Sequence, residues 1–196
     1  YSTIDKSTLY ANTTLYTGNG STQSITGVGF QPDFIWIKAR NDTRNHQLQD
    51  SVRNDFADIL NSDSTGAQGT FTDGVTAVGS DGFSVGARAA LNTNADPLVS
   101  WNWKMGTTSG LTGGTITPTS YSINATARQG IYKWSGTGSN GTIAHGLGGT
   151  PKVMMVKQQL NSTAGWQVYH WMLGATKVIY LNSTATPDTS STVWND

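Results

Sequence analysis

The side chains of this chain that could carry out acid–base chemistry are its aspartates. Asp50, Asp55 and Asp58 follow one another closely, and a pair of such carboxylates is what glycoside hydrolysis requires. Aspartates are also common in solvated turns, and the sequence has no Glu that could act as a second acid. We therefore predict no catalytic residue and no enzymatic activity, and a polysaccharide depolymerase is the least favoured alternative.

Metal-binding chemistry has little support in the sequence. His46, His145 and His170 lack the spacing of a metal site, and there is no cysteine. Turn residues 61–64, 73–74 and 81–82 offer oxygen ligands, although they lack the spacing of a dedicated calcium loop. We predict no metal and no cofactor, while calcium bound by turn aspartates stays open.

Aromatic rings are the strongest functional lead in the sequence. Large flat rings stack on sugars and anchor protein interfaces. The residues that we predict to contact a glycan or a protein partner are Trp134, Trp166, Tyr169 and Trp171. Three other rings lie in strand-like segments, and we expect them to be packing residues: Trp36, Trp101 and Trp103.

The chain contains an internal repeat. Residues 27–38 (GVGFQPDFIWIK) return as residues 146–157 (GLGGTPKVMMVK), with two glycines, the proline and the lysine kept in register. Between the proline and the lysine, every residue except the first is apolar in both copies. Such periodicity indicates repeated structural units. We predict two similar halves of one fold.

Several segments have the pattern of strands. Residues 34–37 (FIWI) and 153–156 (VMMV) are short continuous apolar runs, which predicts central core strands covered on both faces. Residues 75–85 are typical of a hairpin that turns at residues 80–82 (SDG). Residues 52–60 (VRNDFADIL) have helical spacing of apolar residues, so a short helix there competes with a strand.

Residues 98–105 (LVSWNWKM) alternate between apolar and polar residues. Because successive side chains of a strand point to opposite faces, Trp101 and Trp103 would share one face while Ser100 and Asn102 share the other. We expect the tryptophan face to be buried and the serine face to be solvated.

The composition favours an all-β fold. Gly, Ser, Thr and Asn dominate, and strong helix formers are scarce. We predict a single domain over residues 1–196, a β-sandwich or jelly roll built from two similar halves with little helix. The predicted parts are copy one at about 14–64, middle strands at about 66–106, a loop at 107–119, and copy two at about 130–186.

Charge excludes two classes of partner. Twelve Lys and Arg balance twelve Asp, so the net charge is zero. Without a basic patch the chain is not expected to bind nucleic acid. No apolar stretch approaches the roughly 20 residues of a membrane span, so no membrane partner is expected.

Five segments carry a resemblance to a known family: LYTGNGSTQSITGVGFQPDFIWIKAR, HQLQDSVR, SDGFSVG, SWNWKMG and HGLGGTPKVMMVK. Together they resemble a repeated domain in virion proteins of tailed phages, especially phages of aquatic bacteria. The resemblance implies a lectin-like sandwich and a structural role, and it brings no catalytic residues. The chain departs from the family pattern at Asn54 and Asp55, where a glycine is expected after Arg53.

The resemblance predicts a non-enzymatic structural protein of a phage virion, either a tail-fibre module or a head decoration protein. Its expected partners are other virion proteins and copies of itself, and residues 2–14 could add a strand to a neighbouring sheet. The alternative is a carbohydrate-binding module that attaches to host surface glycan.

Overall fold

The computed structural model describes residues 4–194, and it confirms the predicted all-β, sandwich-like fold. Helical structure in this part of the chain is limited to a four-residue helix, α1 Ala89–Asn92, and two 3-10 turns, Ser7–Leu9 and Asn54–Phe56. None of the helices described is long and apolar enough to cross a bilayer.

The strands pair in antiparallel sheets. In chain order they are β1 Ala11–Thr17, β2 Gln23–Ile25, β3 Phe34–Ala39, β4 Gln47–Asp50, β5 Asp58–Ile59, β6 Gly69–Thr70, β7 Val75–Gly79, β8 Gly82–Val85, β9 Pro97–Trp103, β10 Ser120–Asn124, β11 Gln129–Lys133, β12 Val153–Val156, β13 Gln167–His170, β14 Lys177–Tyr180 and β15 Asp188–Thr189. The two largest sheets have the orders β1-β9-β3-β4 and β12-β13-β14-β15. A third sheet has the order β2-β8-β7, and β10-β11 and β5-β6 are separate pairs.

The main hydrophobic core lies between the β1-β9-β3-β4 sheet and the β2-β8-β7 sheet. Ile35 and Ile37 of β3 pack in one cluster with Phe83 and Val85 of β8, and all four are at most 3% exposed. The predicted hairpin over residues 75–85 is confirmed as β7 and β8. Residues of the first repeat copy and of the middle strands therefore build one shared core.

The buried face and the outer face of β9 are the reverse of those predicted. Ser100 and Asn102 are buried on the same face as Ile35, whereas Trp101 and Trp103 lie half-buried on the outer face. The Asn102 amide donates to the carbonyl and hydroxyl oxygens of Ser100, at 3.3 and 3.1 Å. These hydrogen bonds give the buried amide nitrogen of Asn102 its acceptors, so the polar face of the strand can turn inward, although Asn102 Oδ1 has no hydrogen-bond partner within residues 4–194.

The second copy of the repeat does not form a central core strand, so that prediction is wrong for residues 153–156. In the first copy, β3 lies between β9 and β4, and Ile35 is fully buried. In the second copy, β12 is an edge strand that pairs only with β13 among the described strands. Val153 and Met155 are 51% and 45% exposed.

The two copies nevertheless share their local geometry. Each apolar strand pairs with a strand that begins at a glutamine, Gln47 in β4 and Gln167 in β13. The repeated lysines, Lys38 and Lys157, each donate from Nζ to the carbonyl oxygens one and four residues later. Lys157 also reaches the carbonyl of Thr65 in the first half, at 3.1 Å. The lysine thus holds the loop that follows each strand.

The segment between the halves is irregular, as its composition predicts. Residues 107–119 contain no named strand or helix, and isolated bridges join them to later residues, for example Thr107 to Ile123 and Gly114 to Ile143. At the other end of the chain, residues 2 and 3 of the predicted edge segment lie outside the described residues.

The segment at residues 52–60, for which a short helix and a strand were both open, forms a 3-10 turn followed by β5. Asn54, Asp55 and Phe56 have φ angles of 48°, 46° and 68°. Left-handed backbone costs an L-residue about 1–2 kcal/mol, whereas glycine adopts it freely. A glycine, such as the resemblance predicts after Arg53, would suit this left-handed backbone.

Replacing Asp55 by glycine tests this strain. Asp55 is exposed and has φ 46° and ψ 59°, so Asp55→Gly relieves strain without removing packing. We expect the free energy of unfolding to rise by about 0.5–1 kcal/mol in urea titrations. The control is Ala57→Gly, at right-handed φ −70° and ψ −25°, which should lower it by about 1 kcal/mol. A loss of stability in Asp55→Gly would contradict the assigned backbone.

Candidate functional site

Trp166 is an internal packing residue and not the exposed contact residue that we predicted. Its ring is 7% exposed and packs in a cluster with Leu48 and Leu60 of the first half. Its Nε1 donates to the carbonyl oxygen of Asn61 at 2.8 Å. A ring buried in this way has no free face for a sugar. Trp166 instead joins the second half of the chain to the first.

Trp171 is exposed, as a contact residue would be. It begins the turn between β13 and β14, and 51% of it is accessible to solvent. The Nζ of Lys152 lies 4.5 Å from the centre of its ring, which is within the range of a cation–π contact. The ring is therefore oriented by a neighbouring strand while much of its surface stays accessible.

The other two predicted contact residues are only half-buried. Tyr169 lies in β13, and its ring packs edge-on against Trp194 with the centroids 5.8 Å apart. Trp134 directly follows β11, which pairs with β10 alone. The four predicted residues thus do not form one platform, because Trp166 is interior and Trp134 belongs to a different sheet.

The second half carries a surface of exposed apolar side chains that we call the apolar edge surface. Its residues are Val153, Met155, Trp171, Met172 and Leu173, which are 51%, 45%, 51%, 73% and 38% exposed. The amide of Trp171 donates to the carbonyl of Lys152 at 2.9 Å, so the turn lies beside the start of β12. Because Trp171 lies opposite Lys152 in the register, it is on the other face of the sheet from Val153 and Met155, and the exposed apolar residues flank both faces of the open edge. Exposed apolar residues in such numbers usually mark an interaction site.

Backbone groups of β12 are also available along this surface. The hydrogen bond from Trp171 to Lys152 shows that Lys152 faces β13. Hydrogen bonding alternates along an antiparallel strand, so Met154 faces β13 as well. Val153 and Met155 therefore point their N–H and C=O groups away from β13, toward the open edge. The surface combines apolar side chains with unpaired backbone donors and acceptors.

Two of the aspartates considered for hydrolysis are held in structural contacts. Asp50 is 2% exposed, and its carboxylate accepts from the Arg53 side chain at 2.7 Å and from the amides of Val52 and Arg53. Asp58 is 6% exposed and accepts from Thr70 Oγ1 at 2.6 Å. Asp55 remains exposed. Asp50 and Asp58 are therefore closed to a large substrate.

His46 and Asp81 have protein partners. His46 Nδ1 accepts from Trp36 Nε1 at 2.7 Å, and burial lowers the pKa of His46. Asp81 accepts from the amides of Gly27 and Gly29, and these two hydrogen bonds lower its pKa. Across residues 4–194, no group of three His or Asp side chains could hold a metal ion.

The outer face of the β1-β9-β3-β4 sheet carries a row of half-buried aromatic rings, which we had expected to be packing residues. Phe34 contacts Trp103 with ring centroids 5.1 Å apart, and Trp36 contacts Trp101 at 6.1 Å. All four rings are half-buried. The contact between Trp101 and Trp36 depends on the pairing of β9 with β3. The repeat does not specify this pairing, so the sequence did not predict the row.

A cleft of about 600 Å³ opens where β3 and β9 meet the β10-β11 pair. Its lining includes Asp33, Ser51, Lys104 and Tyr121. The Asp33 carboxylate accepts from Ser51, from Ser122 and from the Met105 amide. Because these contacts occupy Asp33, it serves to join strand ends.

Comparison with known proteins assigns the chain to a family. A family model described as a domain of unknown function (DUF7483) matches residues 6–196. The chain belongs to this family. No curated protein matches, and no solved structure does. The matched region contains both halves of the repeat and the strands between them.

The different roles of two tryptophans predict different effects on stability. Trp166→Ala should lower the free energy of unfolding by about 3–5 kcal/mol, because it removes a buried ring and leaves a cavity. Trp171→Ala should lower it by less than about 1 kcal/mol, because that ring is exposed. Urea unfolding of both variants measures the difference. Equal losses would contradict the assignment of Trp166 as the joining residue.

Proposed function

We propose that this chain is a non-enzymatic structural protein of a phage virion, a tail-fibre module or a head decoration protein. In this proposal it assembles with other virion proteins and with copies of itself, and its location is the virion. The apolar edge surface is the observation that carries the proposal. The sequence resemblance to repeated domains of virion proteins supports the same assignment.

The physical argument rests on what an edge strand normally carries. Soluble proteins protect sheet edges with charged residues, proline or a covering segment. Neither β12 (VMMV) nor β1 (ANTTLYT) contains a charged residue, and both are edges of their sheets. Because β12 also has exposed Val153 and Met155, contact with another protein would remove apolar surface from water.

A carbohydrate-binding module remains the second candidate, and Trp171 is the observation that favours it. Its accessible ring lies beside the cation of Lys152, and an exposed aromatic face can stack on a sugar ring. In such a module, Trp171→Ala would remove binding on a glycan array while the protein stayed in the particle. A structural protein would show no glycan binding in either form.

The structural proposal predicts that the protein is a component of purified particles. Mass spectrometry and immunogold electron microscopy of the phage that encodes it should both detect it. A double variant of the apolar edge surface, Val153→Lys with Met172→Lys, should be incorporated about tenfold less, because charge opposes burial of that surface. Absence of the unaltered protein from particles would contradict the proposal.

A matched control separates this surface from general effects of added charge. Leu160 and Leu181 lie in turns outside this surface and are 78% and 36% exposed. The double variant Leu160→Lys with Leu181→Lys adds the same charge and should be incorporated as well as the unaltered protein. An equal loss in both double variants would show that the apolar edge surface has no special role.

A further inference from the structure

In the first half of the chain, the strand of the repeat is β3, and β9 covers its edge. β3 pairs with β9, with Phe34 opposite Trp103 and Trp36 opposite Trp101. The amide of Arg40 donates to the carbonyl of Pro97 at 2.8 Å. Hydrogen bonding alternates along an antiparallel strand, so the N–H and C=O groups of Trp36 and Phe34 also face β9. β9 therefore takes the outward backbone groups of β3 and places large rings beside its side chains.

The second half has the same strand without this cover. By the register of the repeat, Val153 and Met155 occupy the positions of Phe34 and Trp36. Their backbone groups point to the open edge, and their side chains are exposed. In the described part of the chain, no strand occupies the place beside β12 that β9 has beside β3.

The glycine turn of the first copy is also occupied. Gly27 and Gly29 have φ angles of 84° and 85°, and their amides donate to the two carboxylate oxygens of Asp81, at 3.0 and 2.7 Å. The intervening amide of Val28 donates to the carbonyl of Asp81 at 3.1 Å. Consecutive N–H groups in such turns form a concavity that binds anions. Asp81 is supplied by the β7–β8 turn.

The glycine turn of the second copy has the same backbone and no carboxylate. Gly146 and Gly148 have φ angles of 63° and 68°, and the amide between them donates to His145 Nδ1 at 3.1 Å. Within residues 4–194, no acceptor contacts the amides of Gly146 and Gly148. The guanidinium of Arg128 lies beside the neighbouring Gly149, which adds positive charge near the turn.

We propose that the second half of the chain binds an extended strand of a neighbouring virion protein along the open edge of β12. That strand carries large apolar residues at alternate positions, and an aspartate of the same partner binds the amides of Gly146 and Gly148. The inference rests on the proposed function, because it names the kind of partner that the apolar edge surface takes. Added strands of this type are a common mode of peptide recognition.

The chemistry of the partner follows from the occupied half. β9 contributes Trp101 and Trp103 at alternate positions, and the β7–β8 turn contributes Asp81. Residues 4–194 contain one such strand and one such turn, and both are already bound by the first half. A second copy of the folded chain could not release them without opening its own core. The occupant is therefore a different polypeptide with the same pattern.

A peptide with the sequence of residues 75–105 is the probe, because it contains both the aspartate and the alternating strand. Fluorescence polarisation of the labelled peptide should show saturable binding to the complete chain with one peptide per chain. Met155→Pro should weaken binding by about tenfold or more, because it removes an outward N–H group and blocks an added strand. Met155→Leu, a variant of similar volume, should bind within about twofold of the original chain.

The aspartate is tested in the peptide, which leaves the protein unchanged. A peptide with Asp81→Ala should bind about tenfold more weakly, because hydrogen bonds to a charged acceptor are lost. Circular dichroism verifies that Met155→Pro is folded. Met155→Lys, at an exposed position, is a second variant that should also weaken binding.

Three binding results would overturn the proposal. The first is that the peptide does not bind the complete chain saturably, and the second is that it binds both Met155→Pro and Met155→Lys as well as the original chain. The third is that the peptide with Asp81→Ala binds as tightly as the original peptide. A dimer of the chain that dissociates as the peptide binds would assign the edge to a second copy and overturn the choice of partner. Detection of the protein in particles without peptide binding would refute this inference alone. Peptide binding by a protein absent from particles would refute the proposed function alone.

Discussion

The pairing of β3 with β9 is the interaction on which the rest of the structure depends. It gives the outward N–H and C=O groups of β3 their partners, and it turns Ile35 toward the core. The same pairing sets Trp101 beside Trp36 on the outer face. In residues 4–194, β12 has no such neighbour. The two copies of the motif therefore differ in how far their strands are buried, although each strand pairs in the same way with the strand that follows it. The contrast between them is the basis of the proposed docking site.

Local geometry could be predicted from the sequence because it depends on neighbouring residues. The glycine turn, the strand that ends at a lysine and the hairpin of β7 and β8 all follow from residue type and spacing. Burial could not be predicted in the same way. β12 is as apolar as β3, yet Val153 is 51% exposed, because burial depends on strands distant in sequence. For the same reason, the sequence did not predict the interior position of Trp166, which depends on Leu48 and Leu60 of the first half.

Asp81 shows how a single residue connects turn chemistry with assembly. In the first half its carboxylate binds two glycine amides and so fixes the β7–β8 hairpin against the repeat motif. The second half keeps the glycines, since Gly146 and Gly148 also have positive φ angles. Within residues 4–194, no carboxylate binds the amides of these two glycines. As a binding site for a partner's aspartate, they would act together with the edge of β12.

Amide hydrogen exchange of the isolated chain, resolved residue by residue by NMR, tests the central claim most directly. An unpaired edge leaves N–H groups exposed to water, whereas a core strand opens only with the fold. We predict that the amides of Val153 and Met155 exchange orders of magnitude faster than those of Phe34 and Trp36. Protection of Val153 and Met155 equal to that of Phe34 and Trp36 in the monomer would show that the β12 edge is already covered, and would contradict the account.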